Sequence, residues 1–195
     1  TRAAHPRLGA VGLAGARFDA RRGRTVRVPD HLVLGTVGVD HIGGNQLPCY
    51  RVEAVRDTGG FDPTLFFGFE ELEYGLRLRG RGWELCVDGD AWYRRRSEMG
   101  RTGSGLGVPS VAERRPPWRA YYSNRNLVHL LRGRGHSGAA ARVALGRVLP
   151  KAAYGALTGG APGRAGFRLA LGAVHDGWTG RLGCRVEPAA KVGVA

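Results

Sequence analysis

Cysteine is scarce in this chain. Cys49, Cys86 and Cys184 are odd in number, widely spaced and form no C-x-x-C pair. That pattern indicates neither a disulfide framework nor a zinc site, and a reducing cytosol is the simplest compartment for it. Lysine is scarcer still: Lys151 and Lys191 stand alone, so arginine carries nearly all the positive charge. No run of about 18 apolar residues occurs. The longest candidate, 139–158, is broken by Arg142, Arg147, Pro150 and Lys151, so no transmembrane helix is expected. The opening Thr1-Arg2-Ala3-Ala4-His5-Pro6 lacks the apolar core of a signal peptide. The chain does not begin with Met, which agrees with a truncated protein. Its six histidines show no ligand spacing, and no RRM, helix-turn-helix or zinc-finger pattern is present. Nucleic acid is therefore not an expected partner. There are no internal repeats.

What is present is glycine, 33 residues of it, and positive charge, +14 net over 195 residues. The charge is unevenly placed. Residues 1–98 hold 15 Arg against 13 Asp and Glu, whereas 99–195 hold 15 Lys and Arg against 3 acids. A boundary near residue 98 is expected, with 1–98 as one unit and 99–195 as a basic extension. A basic half calls for an anionic partner or a solvated arginine surface.

The hydrophobic pattern of the first half alternates between periods of two and 3.6. Leu8 to Phe18 reads as a buried strand with its approach, Thr25–Val28 as a short strand, and Trp83–Val87 as another. Helical spacing over Tyr50–Thr58 stops at Gly59-Gly60, and a second helix is expected from Glu70 to Arg81. Asp88-Gly89-Asp90 reads as a turn. Alternating strands and helices argue for an α/β layer. The second half is helical: a proline-started helix from Trp118, a run over 138–158 that Pro150 should kink or restart, and one over 164–176. Between the halves lies a glycine-rich loop, Arg101 to Ser110.

The chemistry concentrates where an aromatic run, Phe66-Phe67-Gly68-Phe69, meets Glu70, Glu71 and Glu73. Carboxylates at the mouth of an apolar cleft are suited to general-base work. The same residues also suit the first turn of a helix, where they complement the macrodipole, and Glu73 to Arg77 is a favourable i,i+4 pair. Upstream, Gly43-Gly44-Asn45-Gln46 allows close backbone approach and offers amides to a polar ligand.

Taken in order, these motifs resemble the second half of a family 2 glycosyltransferase with the GT-A fold. The likeness is to bacterial rhamnosyltransferases and galactofuranosyltransferases of cell-wall polysaccharide assembly. Gly59-Gly60-Phe61-Asp62 with Phe66-Phe67-Gly68-Phe69-Glu70-Glu71 carries it. So do Trp118-Arg119-Ala120-Tyr121-Tyr122 with Arg125-Asn126, and Asp176-Gly177 with Gly180-Arg181. The resemblance implies a partial GT-A-like mixed sheet with flanking helices, followed by a basic α-helical region. It implies an inverting transfer from a UDP- or dTDP-sugar donor to a glycan or polyprenyl-linked acceptor hydroxyl. Glu71 would be the base, Glu70 would assist, and Gly43, Gly44, Asn45 and Gln46 would line the sugar sites. A divalent cation (Mn or Mg) is implied, with ligands mostly outside this chain.

Two departures stand out. Arg94 stands where many members carry a metal-binding His. An arginine there is suited to hold a diphosphate oxygen directly, and Arg77 is a further substrate-binding candidate. The family's Asp-x-Asp signature does not precede the acidic helix, and Asp88-Gly89-Asp90 comes after it. The expected location is cytoplasmic, with peripheral contact to an anionic membrane. The competing reading is a non-catalytic module that binds a membrane or an anionic glycolipid.

Overall fold

A computed structural model describes residues 5–103 and 116–188. Most of the glycine-rich loop expected after Arg101, residues 104–110, lies outside the described residues. The described chain is mixed α/β and divides into two compact units. The first takes residues up to Asp19, Arg24–Asp62, and the stretch from Glu70 to 103. The second takes Ala20–Gly23, Pro63–Phe69, and the stretch from 116 to 188. The compositional shift at residue 98 therefore falls inside the first unit, and two short segments from the acidic half belong to the second.

The first unit is built on a four-stranded mixed sheet. Its strands are β1 (Leu8–Gly12), β4 (Thr36–Val39), β5 (Cys49–Tyr50) and β6 (Glu84–Asp88), in the order β4-β6-β1-β5. β1 runs parallel to β6, and the two outer pairs are antiparallel. A separate hairpin pairs β2 (Arg17–Asp19) with β3 (Arg24–Val26). Strand alternation is clean in β4 and β6: Val37, Val39, Leu85 and Val87 are buried while Thr36, Gly38 and Glu84 are exposed. Over that buried face pack α1 (Val52–Thr58), α2 (Glu70–Gly80) and α3 (Gly89–Glu98). Tyr74 and Leu78 of α2 and Trp92 of α3 enter the same core. Leu78 is wholly buried, a contribution of about 2 kcal/mol for a side chain of that size.

One expectation is corrected here. Asp88-Gly89-Asp90 is not a turn but the start of α3. Asp88 is the N-cap, its carboxylate accepting from the Ala91 N–H at 2.9 Å. Gly89 is required, because a Cβ there would lie 2.8 Å from both the Gly35 carbonyl and the Leu34 N–H.

The second unit is helical. It comprises α4 (Pro117–Gly133), α5 (Ser137–Val143), a π-helical stretch (Ala144–Val148), α6 (Leu149–Thr158) and α7 (Gly160–Thr179). Pro117 sits in the first turn of α4, where its missing N–H costs nothing. Pro150 likewise falls in the first turn of α6, and the irregularity expected around it takes the form of the π-helical stretch just before it. Gly23 adopts φ 62 and packs on this unit: a Cβ would meet Val143 Cγ2 at 2.7 Å and Leu131 Cδ1 at 2.8 Å.

Candidate functional site

In the first unit the chain leaves β4 through Asp40 and His41 into the glycine loop. That loop lies directly on α2. A Cβ on Gly75 would run into the Asp40 carbonyl, so only glycine lets the helix come this close. Asp40 is buried, accepts from the Phe18 N–H at 2.6 Å, and pairs with Arg79 of α2, which fixes the loop's start. Gly44–Gln46 then forms a single 3-10 turn that ends at Leu47 in the left-handed region, φ 49.

The consequence is one hydrogen bond: the Gly44 N–H donates to Glu71 Oε1 at 3.0 Å. The glycine loop and the acidic pair, separated by 27 residues in sequence, meet through that bond. Glu71 also lies close enough to act electrostatically on two ring groups. Burial pushes the His41 imidazole below its ordinary value, and the Glu71 charge opposes that push. Burial pushes Tyr50 up to about 12, with Tyr74 and Glu71 adding to it. Buried His41 Nδ1 and the Tyr74 hydroxyl have no hydrogen-bond partner among the described residues. Glu70 is half-buried at the head of α2.

Beside the loop is a cleft of about 590 Å³. One wall is the Ala14-Gly15-Ala16 turn with His41, Gly43, Asn45 and Gln46. The other is α3 and the segment after it, with Trp92, Arg95, Arg96, Met99 and Arg101, joined by Arg27. Four guanidinium groups thus share a single cavity. Two are tied down by Asp30. Arg27 donates to Asp30 Oδ1 at 2.8 Å and Arg96 to the same oxygen at 2.6 Å, while the Gly103 N–H takes Oδ2 at 2.6 Å. The Arg27 bond leads the effects that hold Asp30 near 2; partial desolvation opposes them, and Gly103 and Arg96 assist. Arg96 also donates to the Val28 carbonyl and lies 4.1 Å over the Trp92 ring. Arg95 and Arg101 line the cavity and form no side-chain ion pair with the described residues.

The placement of the expected residues is mixed. Gly43, Asn45 and Gln46 line the cleft, whereas Gly44 and Glu71, joined by their hydrogen bond, are not part of its lining. Arg94 does not line it. The helix turns about 100° per residue, so Trp92, Arg95, Arg96 and Met99 face the cavity while Arg94 is exposed outside its lining. Arg77 is occupied locally. It forms a bidentate pair with Glu73, the closer contact at 2.8 Å, and donates to the Thr58 and Gly60 carbonyls at 2.6 and 2.8 Å, closing the end of α1. Sequence reasoning misses Arg27, Arg95, Arg96 and Arg101 as a set. The available signal is the helical spacing of 92, 95, 96 and 99, which the turn-like Asp88-Gly89-Asp90 conceals.

The resemblance places the ligands of its divalent cation mostly outside this chain. Among the described residues no group of three or more His, Cys, Asp or Glu could hold a metal. Asp88 caps α3, and Asp90 accepts from the Gly35 N–H at 3.3 Å.

In the second unit the other motifs lock together. Asn126 donates its amide to the carbonyls of Leu65, Phe67 and Gly68 at 2.8, 2.9 and 2.8 Å. Arg125, wholly buried, donates to the Leu65 and Gly183 carbonyls at 2.8 and 2.6 Å. These bonds hold Phe66 and Phe69 at φ 62 and 68, a left-handed conformation unfavourable for aromatic residues. The pinned segment ends one residue before Glu70. Burial pushes Asp176 up, but the Tyr121 hydroxyl at 2.5 Å, His175 and Arg185 outweigh it and the carboxyl is lowered. Gly177 lets α7 touch α4, since a Cβ there would strike the Arg125 carbonyl.

No family model matches the chain, and no match was found among curated proteins or solved structures. The geometry must therefore carry the functional reading.

Proposed function

We propose that this chain supplies the acceptor side of a glycosyl-transfer site, with Glu71 as general base. The acceptor hydroxyl oxygen forms a bond to the anomeric carbon of the donor sugar as the bond from that carbon to the diphosphate oxygen breaks. The bonding pair leaves with the nucleoside diphosphate, and the hydroxyl proton passes to the Glu71 carboxylate. The supporting observation is the 3.0 Å bond between Gly44 and Glu71, which puts the carboxylate against the loop that walls the arginine-lined cleft. Arg95 and Arg101 suit the charge that builds on a diphosphate leaving group. Trp92 offers an aromatic face to the same cavity. The order of the motifs agrees with a family 2 enzyme acting on a UDP- or dTDP-sugar and a polyprenyl-linked or glycan acceptor, with inversion.

The test uses the full-length protein, nucleotide-sugar donors and polyprenyl-phosphate-linked acceptors, with product read by mass spectrometry. Glu71→Gln is expected to lower turnover by about 10² to 10⁴ while leaving the circular dichroism unchanged. The pair Arg95→Ala and Arg101→Ala is expected to raise the KM for the donor. Full turnover in Glu71→Gln refutes the assignment.

A further inference from the structure

The α6–α7 hairpin is built unlike the rest of the second unit. α6 buries none of its residues, although most are apolar. Tyr154 is 70% exposed and Leu157 is 86% exposed, and they share one face of the helix, three residues apart. The tip after α6, Gly159-Gly160-Ala161-Pro162, carries no charge. The two arms meet closely because Gly163 faces Gly155, where a Cβ on Gly163 would collide with the Gly155 carbonyl. The apolar end is thus narrow, and it projects side chains that no core covers.

Cations flank that end on both arms. Lys151 and Arg147 lie about 9 and 15 Å back from Leu157 at 1.5 Å per residue, and Arg164 and Arg168 occupy the first turns of α7. All four are exposed. No Asp or Glu occurs between Glu113 and Asp176, and Asp176, the acid that α7 does carry, stands eight residues beyond Arg168 and is paired with Tyr121, His175 and Arg185. Among the described residues no helix is long and apolar enough to cross a membrane.

We infer that the α6–α7 hairpin is a membrane-surface anchor that seats Tyr154 and Leu157 in an anionic lipid leaflet, with Lys151, Arg164 and Arg168 on the headgroups. An apolar tip with cations a turn or two behind it matches the depth of the interface, about 5–10 Å. Charge complementarity selects anionic lipid as the occupant. A hydrophobic protein partner would bring no use for four unbalanced cations around the tip. The inference does not depend on the transfer reaction, since its readout needs no sugar.

The experiment is flotation of the full-length protein with phosphatidylcholine vesicles, with and without phosphatidylglycerol. Binding is expected only with the anionic lipid and is expected to weaken as salt rises. Tyr154→Ser with Leu157→Ser should reduce it about tenfold or more. Lys151→Ser, Arg164→Ser and Arg168→Ser together should reduce it roughly a hundredfold. These side chains are exposed, and unchanged circular dichroism and melting will show that the fold is kept. Equal binding to neutral vesicles overturns the inference, as does full binding by the tip variant. So does a Leu157-dependent dimer in sedimentation without vesicle binding, or binding of a short RNA with none to vesicles.

Discussion

Each unit contains a buried arginine, and the two are neutralised in opposite ways. Arg96 in the first unit faces Asp30 at 2.6 Å and shares that carboxylate with Arg27. Among the described residues, Arg125 in the second unit has no carboxylate in its hydrogen-bond set. Its donors go to the carbonyls of Leu65 and Gly183 and to the Asn126 amide oxygen, with the Tyr122 ring 4.7 Å away. A guanidinium paired with an acid sets local charge, which is useful beside a cleft meant for an anion. A guanidinium paired with carbonyls acts as a bracket that holds backbone. The first unit uses arginine for electrostatics, the second for shape.

The sharpest way to break this contrast is to remove each guanidinium. Arg125→Met leaves the Leu65 and Gly183 carbonyls buried without that donor, and it releases Asn126 from its partner. A loss of about 3–5 kcal/mol is expected in urea unfolding. Arg96→Met strips the Val28 carbonyl, but Asp30 retains Arg27 and the Gly103 N–H. A loss of about 1–3 kcal/mol is expected there. If the two losses are equal, the distinction between charge pair and bracket fails.

How much of this is legible in the sequence depends on period and distance. β6, α1 and α2 follow from local hydrophobic spacing and form within a residue or two of the expected limits, whereas the strand expected over Leu8–Phe18 begins at Leu8 but ends at Gly12, and Arg17 and Phe18 belong to β2. β4 and the two-residue β5 are invisible there, because Thr36-Val37-Gly38-Val39 has one apolar face and a glycine, and its pairing with β6 spans about fifty residues. α3 is hidden because Gly89 inside Asp-Gly-Asp looks like a turn. It forms a helix only since the Gly35 carbonyl accepts the Gly89 N–H at 2.6 Å. At the candidate site, Glu71 and the glycine loop are readable as chemistry, but their meeting is not. That needs Gly75 to admit the Asp40 backbone. The arginine-lined cleft cannot be read from composition, which shows arginine everywhere.

Gly75 offers a test of intermediate size. Gly75→Ala places a methyl where the Asp40 carbonyl sits, so α2 and the loop must part. The expected cost is about 1–3 kcal/mol. The same variant should weaken transfer more than stability alone explains, since parting lengthens the contact between Gly44 and Glu71. A Gly38→Ala control meets open space, so it should leave turnover and stability nearly unchanged. Equal behaviour of the two variants would mean that the close approach does not position the base.

The smallest expected effect is a pH dependence that arises in the first unit. Burial lowers His41 from its ordinary value of 6.5 despite the opposing charge of Glu71. The unfolded chain therefore binds a proton more readily than the folded one in that range. Stability held above about 6.5 should fall as pH drops through it and toward the folded value. The lowered carboxyls of Asp30 and Asp176 have the same sign but act only near and below the ordinary carboxylate range. Denaturant unfolding at pH 7.5 and 5.5 should thus show a loss in the wild type that His41→Asn reduces. Loss of the same size in His41→Asn would place the titrating group elsewhere and leave His41 as a passive wall of the cleft.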